Sequence, residues 1–415
     1  MGGRAVSAQD DATGRGAAQS SGLVTSRIFA ARALRELGDG FIAVLLPVYL
    51  IALGYGPLAV GAVATLALLG SALLTLAIGR LGARAEKRRL LIAASLLMVV
   101  TGLAFASASA PALIFLIAFA GTINPSAGSV SIFAPLEQAV LATAVADRDR
   151  TRMFARYSLI GALAAAAGAL ASGSPELLGR FGLARLDALR IMFVLYALLG
   201  VAGALIYARL PPEPVAVDPR ASALGPSRRM VYKLAALFSV DSFAGGLAVQ
   251  SLIALWLFNK FGISLVAAGV FFFWSGVLAA FSFPVAAWLA GRIGLVNTMV
   301  WTHIPSSVCL IIAAIVPSLE AALGLLLIRA ALSQMDVPTR TSYVMAVATP
   351  PERVAAASMT AVPRSLAAAL GPLITGALFS AGHDAWPLVI CGALKIAYDL
   401  ALLWTFRDVR PPEER

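Results

Sequence analysis

The sequence predicts an all-α integral membrane protein with twelve transmembrane helices arranged in two pseudo-symmetric six-helix bundles. Three observations carry this. Of the 415 residues, 60% are apolar and 13% charged, with a mean hydropathy of +0.87; a soluble domain carries about a quarter charged residues. The apolar residues fall into long continuous stretches, each near the ~20 residues that a helix needs to cross a bilayer. The two halves of the chain also repeat charged and proline landmarks in the same order.

Twelve stretches qualify as spans: 26–53, 57–79, 89–109, 112–134, 153–173, 188–208, 231–258, 264–290, 295–316, 320–337, 354–381 and 386–406. A β-barrel would show short strands of alternating polarity. These runs are continuously apolar, and segments such as Gly161–Gly168 suit close helix packing. Residues 1–25 are expected to be a disordered tail, 26–208 the first bundle, 209–230 a linker, 231–406 the second bundle and 407–415 a short tail.

Composition also excludes several functions. There is too little polar surface for a soluble enzyme, a secreted domain or a disordered protein. Cys309 and Cys391 both lie in apolar runs, so no disulfide framework or CxxC site is expected. His303 and His383 are too far apart for an HExxH helix, so neither a metal nor another cofactor is expected. The net charge of +11 comes from arginines between the spans, which points to membrane orientation and not to nucleic acid. Basic residues cluster in alternate connections: Arg80, Arg84, Lys87, Arg88 and Arg89; Arg148, Arg150, Arg152 and Arg156; Arg209, Arg220, Arg228, Arg229 and Lys233; then Arg292 and Arg353. The opposite face has only Arg180, Arg185, Arg190 and Lys260. The positive-inside rule then places both termini in the cytoplasm. Only four lysines stand among the 32 basic residues, an arginine bias that fits a bacterial chain in the inner (cytoplasmic) membrane.

The internal repeat is visible at three places. Asp39 in Leu37-Gly38-Asp39-Gly40-Phe41 matches Asp241 in Ser239-Val240-Asp241-Ser242-Phe243. Pro135 with Asp149-Arg150 matches Pro338 with Glu352-Arg353, and Gly79-Arg80 matches Gly291-Arg292. A duplication of six spans is the signature of a two-bundle transporter with its site between the bundles.

With these features the chain resembles the major facilitator superfamily along nearly its whole length. The sharpest local match follows span 2, where the family pattern is G-x-L-a-D-r-x-G-r-k. Gly79, Leu81, Arg84, Lys87 and Arg88 fit it, whereas Ala83 stands at the acidic position and Glu86 at the second glycine. The resemblance implies a gate in this loop. Two patterns of proton-coupled drug exporters are mostly absent: span 4 has no arginine and span 5 no Gly-Pro. A partial equivalent of the latter, Gly371-Pro372 with Gly376, lies in span 11, and Arg329 lies in span 10.

An ionisable group inside the bilayer costs several kcal/mol and needs a reason. Span 1 holds Arg32, Arg35, Glu36 and Asp39, with Arg32/Glu36 and Arg35/Asp39 each one helical turn apart. Asp39 falls near the midplane, where it serves either as a proton carrier or substrate contact, or as half of a structural ion pair. Asp241 has no charge one turn away on its own helix, which fits a proton carrier or a carboxylate bonded to a neighbouring helix. Asp336 and Arg340 have salt-bridge spacing, and the repeat sets Glu137 opposite Arg340, an arrangement that fits either a gate across the entrance or two unrelated pairs. Arg364 sits deep in span 11, to bind an anionic cargo or to pair with Asp336 or Asp399. Lys395 and Asp399 have the spacing of a structural pair, and Asn124 and Gln250 are candidate cavity groups. Pro135 and Pro338 predict local bends.

The expected function is secondary active transport by alternating access, coupled to protons and exporting a small amphipathic or anionic compound. The alternative is uptake or exchange of an organic anion through Arg35, Arg340 and Arg364. An enzyme is not expected: the chain has no HExxH, G-x-S-x-G or P-loop, and no soluble domain suits a receptor. The expected partners are a small-molecule substrate, protons and the lipid bilayer. Nucleic acid is not among them, and the fold works as a monomer.

Overall fold

The computed structural model describes the backbone of residues 3–81, 85–126, 131–144, 150–212, 225–349 and 352–406. Side chains are described over 22–78, 85–126, 131–142, 152–212, 225–349, 352–353 and 355–406. All regular structure among these residues is helical. Spans 1 to 3 are α1 (Gly3–Ala52), α2 (Pro57–Leu81) and α3 (Lys87–Ser107). Span 4 is divided into α4 (Pro111–Ala120) and α5 (Phe133–Ala144). Span 5 is α6 (Arg150–Ala171), extended by the short α7 (Ser174–Gly179), and span 6 is α8 (Arg185–Ala208). In the second half, span 7 is divided into α9 (Arg228–Leu247) and α10 (Gln250–Phe261). Spans 8 and 9 are α11 (Leu265–Ile293) and α12 (Leu295–Ile315). Span 10 is divided into α13 (Leu319–Ser333) and α14 (Asp336–Val347). Spans 11 and 12 are α15 (Arg353–Ser380) and α16 (Trp386–Phe406).

Ten of these spans are long and apolar enough by composition alone to cross a membrane. The other two fall short for identifiable reasons. Span 1 carries five charges (Arg27, Arg32, Arg35, Glu36 and Asp39), and the helical part of span 4 before its break is only Pro111–Ala120. Both are nevertheless held in the first bundle.

Two expectations need correction. Span 4 is not one helix over 112–134. It stops at Gly121, and residues 122–126 are non-helical. Such backbone is tolerated at membrane depth only when protein satisfies it. Here the Thr122 N–H donates to Thr101 Oγ1 (3.3 Å), the Tyr196 hydroxyl donates to the Thr122 carbonyl (3.2 Å), and the Ser251 N–H donates to the Pro125 carbonyl (3.1 Å). The bends assigned to Pro135 and Pro338 sit just ahead of them. Each proline is the third residue of the helix after the break, α5 and α14 respectively, where a missing N–H leaves no intrahelical bond unmade.

The packing repeats with the sequence. Span 1 lies along span 5 and span 3 along span 6; likewise span 7 lies along span 11 and span 9 along span 12. Small residues permit this approach. A side chain on Gly40 would strike the Ala165 carbonyl, and one on Gly168 the Leu37 carbonyl. In the second bundle Gly246 lies in the same way against Ala368, and Gly371 against Gly246 itself.

The start of span 1 near Arg27, the end of span 6 at Arg209, the start of span 7 and the end of span 12 share one face, here called the terminal face. The bundles meet toward the other, distal face. There α2 lies along α15, with Gly61 on Pro372 and Gly376, and α6 along α11, with Gly269 on Ala169. The terminal-face halves of spans 4 and 10 pack chiefly within their own bundles: α5 on α1, α3 and α6, and α14 on α12, α11, α15 and α9. The two bundles therefore diverge toward the terminal face.

At that face the second bundle is pinned by Glu352. Its carboxylate accepts from the backbone N–H groups of Gly225 and Ser227 (3.3 Å to the latter) and from the Thr349 hydroxyl (2.7 Å). These donors, led by Ser227 and Thr349, hold its pKa down at about 2, below the usual 4.5. Because the folded value is the lower one, the stabilisation is complete above 4.5 and is lost as the pH falls through about 2. Glu352→Ala should lower the melting temperature in detergent by about 2–4 °C. That deficit should be the same at pH 6 and pH 8; one that varies between them contradicts this account.

Candidate functional site

The structure gathers the intramembrane charges into two clusters, one inside each bundle. In the first bundle α1 supplies Arg32, Arg35, Glu36 and Asp39 from successive turns, and α5 supplies Glu137. The spacing on α1 does what its sequence predicts: Arg32 reaches Glu36 at 3.3 Å and Arg35 reaches Asp39 at 3.6 Å. Arg35 also contacts Glu36 (3.2 Å) and Glu137 (3.3 Å).

The three carboxylates are not held equally. Glu137 is fully buried and accepts from Tyr157 and Tyr207, both at 2.5 Å, besides the two arginines. Glu36 lies between Arg32 and Arg35. Asp39 has the longer 3.6 Å contact with Arg35 and a 3.4 Å hydrogen bond from the Tyr196 hydroxyl. It also lines a small, water-sized crevice beside the break in span 4, with Arg35, Ser71, Thr122, Ser131 and Tyr196.

In the second bundle Asp241 of α9 is the hub. It meets Lys395 Nζ at 2.6 Å, Arg340 Nη1 at 3.0 Å and His303 Nε2 at 3.8 Å. Arg340 also bonds Asp336 at 3.2 Å, the turn-spaced pair expected from the sequence. His303 Nδ1 lies 3.0 Å from both Asp399 oxygens, while Nε2 lies 3.3 Å from Lys395 Nζ. Nδ1 therefore faces the Asp399 carboxylate, and Nε2 faces both Lys395 and Asp241.

Several sequence expectations change accordingly. Asp241 has no partner on its own helix, but three reach it from spans 9, 10 and 12. Lys395 and Asp399 do not pair with each other: Lys395 turns to Asp241, and Asp399 turns to His303. Arg364 pairs with neither Asp336 nor Asp399; its Nε donates to Ser242 Oγ at 3.1 Å. Glu137 and Arg340 form no bridge across the entrance, because each is buried and bonded inside its own bundle.

Asn124 and Gln250 do come together at the breaks. Asn124 Oδ1 accepts from the Ser126 N–H (2.9 Å), and Gln250 opens α10 beside Ser251, which donates to Pro125. Of the loop residues, α2 runs through Gly79 and Leu81, whose side chains lie outside the described residues, as does all of Arg84. Lys87 and Arg88 open α3, and Glu86 pairs with Arg89 at 2.9 Å.

Sequence reasoning missed the site role of three groups: Tyr196, Tyr398 and His303. A signal for two of them was present, since the spacing from Asp39 to Asp241 is also that from Tyr196 to Tyr398. Tyr398 is buried in the second cluster, with its ring against His303. Arg329, midway along span 10, and Arg364 make no ion pair among the described residues.

A membrane protein of two repeated six-span bundles, with buried charge clusters at corresponding places, has the architecture of a transporter. The sequence matches the profile of the Major Facilitator Superfamily over residues 28–332, and the chain belongs to that family. It is 25% identical over 360 residues to the uncharacterized membrane protein YJR124C of Saccharomyces cerevisiae, with 78% of this chain and 80% of that protein covered. Its fold is similar to that of the nucleoside transporter NupG (TM-score 0.71, 14% identity, 92% and 99% covered). It is likewise similar to a bacterial homolog of the human lysosomal transporter Spinster in an inward-facing, occupied conformation (TM-score 0.72, 16% identity, 93% and 97% covered).

Proposed function

We propose that the protein is a proton-coupled secondary transporter that exports a small anionic or amphipathic compound by alternating access, with Asp39 carrying the proton. The observation that supports this is a charge imbalance. Among the described residues, the first cluster holds three carboxylates, Glu36, Asp39 and Glu137, against two guanidinium groups, Arg32 and Arg35. An uncompensated buried charge is costly, so the cluster favours taking up one positive charge. Glu137 is closely hydrogen-bonded and Glu36 is flanked by two arginines at 3.2 and 3.3 Å; Asp39 has the longest ion contact with Arg35 and lines the crevice, so the proton goes there.

The second bundle supports the cargo class. Asp241 and Asp336 are bonded to Arg340 and Lys395, and Asp399 to His303, while Arg364 and Arg329 make no ion pair among the described residues. A surplus cation in the bilayer favours an anionic or partly anionic cargo. By the positive-inside rule the terminal face is cytoplasmic, in the inner membrane, so this structure is open to the cytoplasm. The same arginines favour a second reading, exchange of organic anions without protons.

Proteoliposomes with an entrapped pH indicator test both. A panel of small organic anions and amphipathic compounds is applied as gradients, with the membrane potential clamped. Proton movement opposite to the cargo is expected. Cargo counterflow with no proton movement would establish the exchanger and end the proton-coupled reading.

A further inference from the structure

We propose that Glu176 and Ser380 are a pseudo-symmetric pair of clasps that hold the distal face shut, each completing the first turn of a helix in the opposite bundle. The first four N–H groups of any helix lack intrahelical partners. At the start of α11, Ser264 caps Ala267 N–H (3.0 Å) but leaves Leu265 and Val266 open. Their partners come from the first bundle: Leu265 N–H donates to Glu176 Oε1 at 2.6 Å and Val266 N–H to Oε2 at 3.3 Å. Glu176 stands on α7, directly after span 5.

The mirror arrangement occurs at the start of α2. Pro57 has no N–H to satisfy, and Leu58 N–H donates to Ser380 Oγ at 2.9 Å, the last residue of span 11. By the repeat, span 2 corresponds to span 8 and span 5 to span 11. The two contacts are therefore the same device built twice. Backbone approach places them: Gly173 lies on Val266, and Gly376 lies on the Pro57 carbonyl.

Rocking the distal face open withdraws both caps and leaves these N–H groups to water. The two clasps differ in strength. A carboxylate gripping two N–H groups at the positive end of a long helix is stronger than a neutral hydroxyl on one. Glu176 is therefore the main restraint, and it biases the protein toward the terminal-face-open arrangement seen here. The inference needs only the two-bundle fold and not the role assigned to Asp39; its readout involves neither protons nor cargo.

The test replaces Cys309 and Cys391 with Ser and places spin labels at Phe181→Cys and Asn259→Cys, on exposed distal positions of the two bundles. Double electron–electron resonance on the full chain should give one dominant short distance. Glu176→Ala should raise the long-distance population about tenfold, Glu176→Gln less, and Ser380→Ala about two- to threefold. Ser380→Thr, which keeps the hydroxyl, should restore the starting distribution. Amide hydrogen exchange at Leu265 and Val266 gives a second readout and should quicken in Glu176→Gln. Unchanged distances in Glu176→Gln and Ser380→Ala, with unchanged exchange, would overturn the proposal.

Discussion

Asp39→Asn is expected to abolish proton-driven accumulation of cargo while leaving cargo-for-cargo exchange intact. One pH unit is worth about 1.36 kcal/mol, so a carrier moving one proton per cargo sustains about tenfold accumulation on a one-unit gradient. The amide cannot carry a proton through the cycle, and the ratio should fall to about one. The amide also leaves the first cluster neutral, with Glu36 and Glu137 matched to Arg32 and Arg35, so folding should not suffer. The measurement is paired: accumulation under an imposed pH gradient, and counterflow without one. If Asp39→Asn still concentrates cargo on a pH gradient, the proton resides elsewhere. If both activities fail in a well-folded protein, Asp39 is a cargo contact.

Glu36→Gln and Glu137→Gln are the informative comparisons. They remove the same formal charge, but from carboxylates already bonded closely. Glu137 is locked by two tyrosines and two arginines, so its loss frees donors that Asn or Gln cannot all satisfy. These variants should lose stability before they lose coupling, the reverse of Asp39→Asn.

The fold was legible because the bilayer enforces a simple rule: apolar length sets the spans. The turn-spaced pairs on α1 and α14 were legible for the same kind of reason, since a helix fixes which neighbours meet. What stayed hidden depends on partners from other helices. Nothing near Asp241 in the chain announces Lys395, His303 or Arg340, and Lys395 satisfies its own spacing rule with Asp399 yet turns away from it. A local pair forms only when no nearer opposite charge competes, and at 2.6 Å Asp241 outcompetes Asp399. The break in span 4 was hidden because apolar content continues through it; Gly121 and Asn124-Pro125 were the only marks, and their meaning depends on Thr101, Tyr196 and Ser251 being in reach. The interbundle clasps were hidden for the same reason, as a glutamate in a distal loop carries no sequence sign of the helix end it will cap.

Asp241→Asn should be the most destabilising single change among the cluster residues, and adding Lys395→Met should reverse most of the loss. Breaking a buried ion pair by removing one partner costs about 3–5 kcal/mol, because the surviving charge is left without compensation. Arg340 keeps Asp336 at 3.2 Å, but Lys395 would keep only His303 Nε2 at 3.3 Å, which is not a carboxylate. The penalty therefore falls mainly on Lys395, and removing that ammonium as well should bring the protein back to within about 1 kcal/mol of the parent. Lys395→Met alone should cost less than Asp241→Asn, since Asp241 retains Arg340 at 3.0 Å. Denaturant unfolding in mixed micelles, followed by tryptophan fluorescence, gives the three values. Additive losses in the double variant would mean that Asp241 and Lys395 act independently. Strong rescue of folding without rescue of transport would place the pair in the working cycle as well as in the frame, since Lys395, Asp241 and Arg340 join three spans that must move as one when the bundles rock.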